Sequence, residues 1–126
     1  MTTLSSLQGI LQNFVASSAA VQGAAVVTPD GLPLISILPG NMDEEKTAAM
    51  SAAMLSLGER IGHELARGTI DRIFVQGDSG YGVLTSCGEE AMLLTLASAD
   101  AKQGMLFMEI KQMTSQVAAA FNLAPV

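Results

Sequence analysis

The stretch DEEKTAAMSAAMLSLGERIGHELARG, residues 43–68, decides how the chain is read. Asp43, Glu44 and Glu45 put negative charge where the positive end of a helix dipole would lie, and Gly68 supplies the expected stop at the far end. Between them runs one long helical segment reaching about Arg67. Its spacing of three and four places Met50, Met54, Leu57, Ile61 and Leu65 on one stripe, which is expected to lie on a sheet. The opposite face carries Ala48, Ala52, Leu55, Ser56, Glu59 and His63, so its first half is small and apolar. Such a face gains nothing from water, and a second chain is expected to cover it. Gly58 and Gly62 each cost about 1 kcal/mol relative to alanine, which implies a packing reason such as close approach of another backbone. The competing explanation is helix propensity alone, alanine being the best helix former. Pairing of two such helices across a two-fold axis is the simplest assembly, because a self-complementary patch closes on itself.

Upstream, Leu4, Leu7, Leu11 and Phe14, with Ile10 and Val15 alongside, mark one face of an amphipathic helix. Val21 to Thr28 is rich in small and β-branched residues and stops at Pro29-Asp30-Gly31, a turn in which proline presets φ and glycine takes positive φ. Leu32 to Leu38 reads as the return strand, with Pro33 pointing to a sheet edge because proline donates nothing to a ladder. Downstream come three short apolar segments, roughly Ile70 to Gln76, Tyr81 to Cys87 and Ala91 to Ala97, separated by hairpin turns. Leu106, Ile110, Met113, Val117 and Phe121 then share one face of a closing helix. The order α-β-β-α-β-β-β-α, with connections too short for parallel crossovers except at the long helix, predicts an α/β chain of the α+β type built on an antiparallel sheet. No repeat or linker divides it, so residues 1–126 are read as a single domain.

Nearly half of the 126 residues are apolar and only 14% are charged, which leaves little polar material to cover a monomer. The six basic residues, Lys46, Arg60, Arg67, Arg72, Lys102 and Lys111, sit within a net charge of -6 and form no concentrated footprint for phosphate backbones. Nucleic acid is therefore not an expected partner. Met1 to Ile10 has neither a basic segment nor an apolar run of the secretory kind, and no segment approaches a membrane span. A lone Cys87 excludes an intramolecular disulfide, and the cytoplasm is the expected compartment.

The sequence is poor in catalytic constellations. The only histidine, His63, has no sequence relation to Cys87, and one His with one Cys matches no zinc spacing. Cys87 reads as a small core hydrophobe. Gly77-Asp78-Ser79-Gly80-Tyr81-Gly82 lacks a following Lys or Arg and leads into a strand, whereas phosphate loops open a helix; it reads as a tight hairpin. No catalytic residue, cofactor or metal is expected. Among the eight methionines, Met105 and Met108 fall off the main stripe of the last helix and are candidates for a partner-facing patch.

The chain resembles the roadblock family, which includes roadblock dynein light chains, bacterial MglB-type polarity regulators and Ragulator-type scaffold subunits. The resemblance covers nearly the whole chain and rests on the element order, on Val26-Val27-Thr28-Pro29-Asp30-Gly31-Leu32-Pro33, on Gly58-Glu59-Arg60 and on Val75-Gln76-Gly77 through Gly82. It implies a five-stranded antiparallel sheet with the long helix on one face and the terminal helices on the other. It also implies a homodimer joined at third strands, here Thr69 to Gln76, with Ile70, Arg72, Phe74, Gln76, Gly58 and Gly62 at the interface. In MglB-like proteins the paired long helices receive a Ras-like GTPase and promote hydrolysis. Carried over, the contact surface is Ala48, Ala52, Leu55, Ser56 and Glu59, with Arg60 and Arg67 as the basic groups. For Arg60 the alternative is a surface ion pair with Glu64. Two functions follow: a non-enzymatic regulator of a small GTPase, or a structural adaptor of a motor-like or signalling complex.

Overall fold

The computed structural model describes residues 3–122. Its elements are α1 (Thr3–Ser17), β1 (Val21–Val27), β2 (Pro33–Ile37), α2 (Glu44–Glu64), β3 (Arg72–Gly77), β4 (Gly80–Ser86), β5 (Met92–Ser98) and α3 (Gln103–Asn122). The five strands form one antiparallel sheet in the order β2-β1-β5-β4-β3. Element order and sheet type are those expected from the sequence.

Local chemistry accounts for the boundaries. Gly31 closes the β1–β2 turn at φ 95°, and the Thr28 hydroxyl donates to the Asp30 carboxylate at 2.6 Å, tightening the same turn. Asp43 is the N-cap of α2: its Oδ1 accepts from the Glu45 and Lys46 backbone amides at 2.9 and 3.2 Å, satisfying two of the helix's orphan donors. The far end of α2 comes earlier than expected. The helix stops at Glu64, Leu65 caps it, and Ala66 takes the left-handed turn at φ 55°, with Gly68 following at φ 85°. The third strand correspondingly begins at Arg72, two residues after Ile70.

The sheet separates two cores. On one face α1 contributes Leu7, Leu11 and Phe14, and α3 contributes Leu106, Ile110, Met113 and Val117, against Val26, Val83 and Leu93. On the other face Ala48 and the half-buried Leu55 of α2 lie against Ala25, Val27, Leu84, Met92 and Leu94. β1 and β5 are sandwiched by both layers, which is why they read as nearly unbroken apolar runs. Each fully buried Leu or Val contributes on the order of 1.5–3 kcal/mol.

Candidate functional site

Ser56, Glu59 and His63 of α2 are exposed as expected, but Ala48 and Leu55 of the same face turn inward and most of the large stripe turns outward. The flank against the sheet is the small one: Ala48, Ser51 and Gly62 are buried and Gly58 is half-buried. The large stripe faces outward, with Met50, Leu57, Ile61 and Leu65 all about half exposed or more, Leu57 at 60% and Leu65 at 62%. Only Met54 of that stripe packs against the α2-side core. The reason is bulk. A Cβ at Gly58 would meet the Ile73 Cδ1 at 2.6 Å, and one at Gly62 would meet the Ile70 Cδ1 at 2.7 Å and the Gly68 carbonyl at 2.8 Å. The isoleucines leading into and lying on β3 fill the space, so the flank above them is built of small residues, and at Gly62 a backbone carbonyl also stands in the way of a Cβ. Ser51 can lie in this core because its hydroxyl donates back to the Thr47 carbonyl at 2.9 Å.

Those contacts place the glycines. Gly58 accommodates the chain's own Ile73, and Gly62 accommodates Ile70 and the close approach of the chain's own backbone at the Gly68 carbonyl. Ala48 is 0% exposed, so no partner can touch it, and Ala52 and Leu55 are half-buried. Ser56, Glu59, Arg60 and Arg67 are exposed. The Arg67 Nε donates to the Leu65 carbonyl at 2.9 Å, which ties that side chain to the helix end.

β3 is an outer strand, paired on one side to β4 and open on the other. Alternation sends Ile73 and Val75 to the α2 face, while Arg72, Phe74 and Gln76 point to the α3 face. Phe74 stacks near Tyr81 and Phe107 at centroid distances of 5.2 and 5.3 Å. Val75 is 51% exposed. Sequence reasoning passed over Val75 and assigned the α2 stripe to the core; the over-long apolar content of the chain was the signal that one such stripe had to stay outside. The result is an open backbone edge on the same side of the sheet as a row of exposed Met, Leu and Ile side chains.

Among the described residues no group of three or more His, Cys, Asp or Glu is placed to hold a metal, and no helix is long and apolar enough to cross a membrane. Cys87 is buried, its thiol pushed up to about 12 by desolvation, while His63 is exposed on α2.

The Roadblock/LC7 domain model matches residues 7–97. The chain belongs to the Roadblock/LC7 family. An uncharacterized protein of Methanocaldococcus jannaschii, MJ0310, is 31% identical over 101 residues, covering 80% of this chain and 88% of the relative. Among solved structures, the Roadblock/LC7 domain from Streptomyces avermitilis superposes with a TM-score of 0.83 at 20% identity, covering 90% of this chain and 96% of that one. Myxococcus xanthus MglB superposes with a TM-score of 0.87 at 14% identity, covering 94% and 90%. At those identities the likeness is one of fold: this roadblock chain shares the MglB architecture from α1 through α3.

Proposed function

We propose that this roadblock chain is a homodimeric regulator, paired through the open β3 edge and the apolar flank of α2, whose assembled surface binds a Ras-like small GTPase and modulates its nucleotide cycle. The observation that carries the reading is the juxtaposition just described. Leu57, Ile61, Leu65 and Val75 stay about half in water unless a second copy covers them, and burying the exposed remainder of each would contribute on the order of 1 kcal/mol. A two-fold axis covers the same patch on both copies at once. The MglB-like fold and the family's association with GTPases support the second half of the proposal. On α2, the exposed Ser56, Glu59 and Arg60 lie away from the apolar flank and stay available for a partner when that flank is paired. A structural adaptor without effect on hydrolysis is the second reading, favoured by Arg67 being held at the end of its own helix and not extended toward a ligand.

Light scattering on wild type and on the double variant Leu57→Asp/Ile61→Asp, combined with single-turnover GTP hydrolysis by candidate Ras-like GTPases, tests both halves. The wild type is expected at about 26 kDa, twice the 13.0 kDa chain, and the variant at the monomer mass with an unchanged circular dichroism spectrum. A monomeric wild type defeats the dimer. A dimer that binds a GTPase without altering hydrolysis selects the adaptor.

A further inference from the structure

A second feature lies on the opposite face of the sheet, where β3, β4 and the middle of α3 enclose a groove of about 520 Å³. Two of the chain's six basic residues, Arg72 and Lys111, line it. Among the described residues neither has an ion pair, and the Arg72 guanidinium is held 4.3 Å above the Phe107 ring. Phe107 is itself fixed edge-on by Phe74 at 5.3 Å. A guanidinium stacked in this way keeps its in-plane N–H donors free and loses little rotamer entropy when an acceptor arrives. Thr85 stands directly across from Arg72 in the strand register, and its Oγ1 is buried in the groove wall without a hydrogen-bond partner. On α3, Phe107 and Lys111 follow one another at a spacing of four along one flank. Asp71 on the same rim opposes these charges, yet two cations against one carboxylate leave the groove locally positive within a chain of net charge -6.

We infer that this groove is a recognition site for an acidic peptide segment of a partner protein. One carboxylate of that segment sits between Arg72 and Lys111, and a neighbouring apolar side chain lies against Met108. Charge selects the place: an acidic segment is repelled by most of this surface and attracted here. The shape selects a peptide over a bare anion. A small inorganic oxyanion satisfies the two cations and leaves the apolar wall open to water, and Met108, 63% exposed at the rim, is an adaptable surface for an aliphatic residue. The inference does not rest on the GTPase; Arg72 belongs to β3, the strand proposed to pair, but alternation sends its side chain to the sheet face away from α2, where α3 packs.

The test is a titration of isotopically labelled full-length protein, followed by backbone amide shifts. The probes are a blocked hexapeptide of alternating glutamate and leucine, its glutamine-for-glutamate counterpart, and inorganic phosphate. The glutamate peptide is expected to move the amides of Thr85, Phe107 and Thr114 to saturation. Arg72→Gln and Lys111→Gln are each expected to weaken it by about tenfold, with the remaining spectrum unchanged; Lys111 belongs to α3 and not to the β3 strand, so Lys111→Gln is the variant expected to leave the mass by light scattering unchanged. Equal shifts from the glutamine peptide, saturation of the same amides by phosphate at no higher concentration, or undiminished binding by Lys111→Gln would each overturn the proposal.

Discussion

β2 and β3 are the two outer strands of one sheet, and they meet their surroundings differently. All five residues of β2 are half-buried, the strand opens with Pro33, and both α1 and α2 pack on it from opposite faces. Four of the six residues of β3 are exposed, none is proline, and α2 reaches only its start through Ile73. Proline and flanking cover are ways in which a chain withholds an edge from pairing with another strand. β2 has both; β3 has no proline and is covered only over its first half, by α2 at Ile73 and by Phe107 of α3 at Phe74. An edge left open beside an apolar helix flank is suited to pairing, which is why the proposed dimer is placed at β3 and not at β2.

Placing the same charge on each edge breaks this comparison if it is mistaken. Val75→Lys puts an ammonium on the exposed α2 face of β3, and it is expected to weaken self-association by about a hundredfold while leaving the folded spectrum intact. Ile35→Lys on β2 is expected to do the reverse: a loss of about 1–3 kcal/mol in urea denaturation, because Ile35 packs against the α1–α3 core, with no change in association of the folded protein. Sedimentation equilibrium and denaturation measured on both variants decide it.

A smaller effect tests how α2 sits beside β3. Gly62→Ala drives a Cβ to 2.8 Å from the Gly68 carbonyl, a backbone atom that cannot move aside, so a destabilisation of about 1–2 kcal/mol is expected despite the better helix propensity of alanine. At Gly58 the nearest atom is the far end of the Ile73 side chain, and Gly58→Ala should change stability by less than about 1 kcal/mol. Urea midpoints of the two variants give the contrast directly.

The smallest effect concerns whether the openness of β3 extends inward. Cys87 follows β4, one strand in, and burial raises its thiol from an ordinary value of 9.0 to about 12. In native protein at pH 8 it should not react with a disulfide reagent, and it should react at once in urea. The folded state keeps the proton that the unfolded chain begins to release at about pH 9. The stability tied to this thiol is therefore whole below that pH and is lost as pH rises toward about 12.

Much of the fold was legible because its signals are local. Turn residues such as Gly31, the cap at Asp43 and the period of Leu106, Ile110, Met113 and Val117 each act within a few residues of themselves. The site was less legible. Residues 47–65 carry two stripes that obey the same helical spacing, and spacing alone does not say which meets the sheet. The usual preference for large apolar residues inside chose the wrong one, which in turn misplaced Ala48, Gly58 and Gly62 on the outside.

By itself the sequence determined the family, the order of helices and strands, the antiparallel pairing and the poverty of catalytic groups, since each depends on residue type and short-range spacing. The tertiary structure alone decided which flank of α2 faces water, because that choice depends on Ile70 and Ile73 arriving from a different element to occupy the space above the glycines. It alone brought Arg72, Thr85 and Lys111 to one groove across separations of 13 and 26 residues, a proximity set by strand register and helix packing that no local pattern encodes.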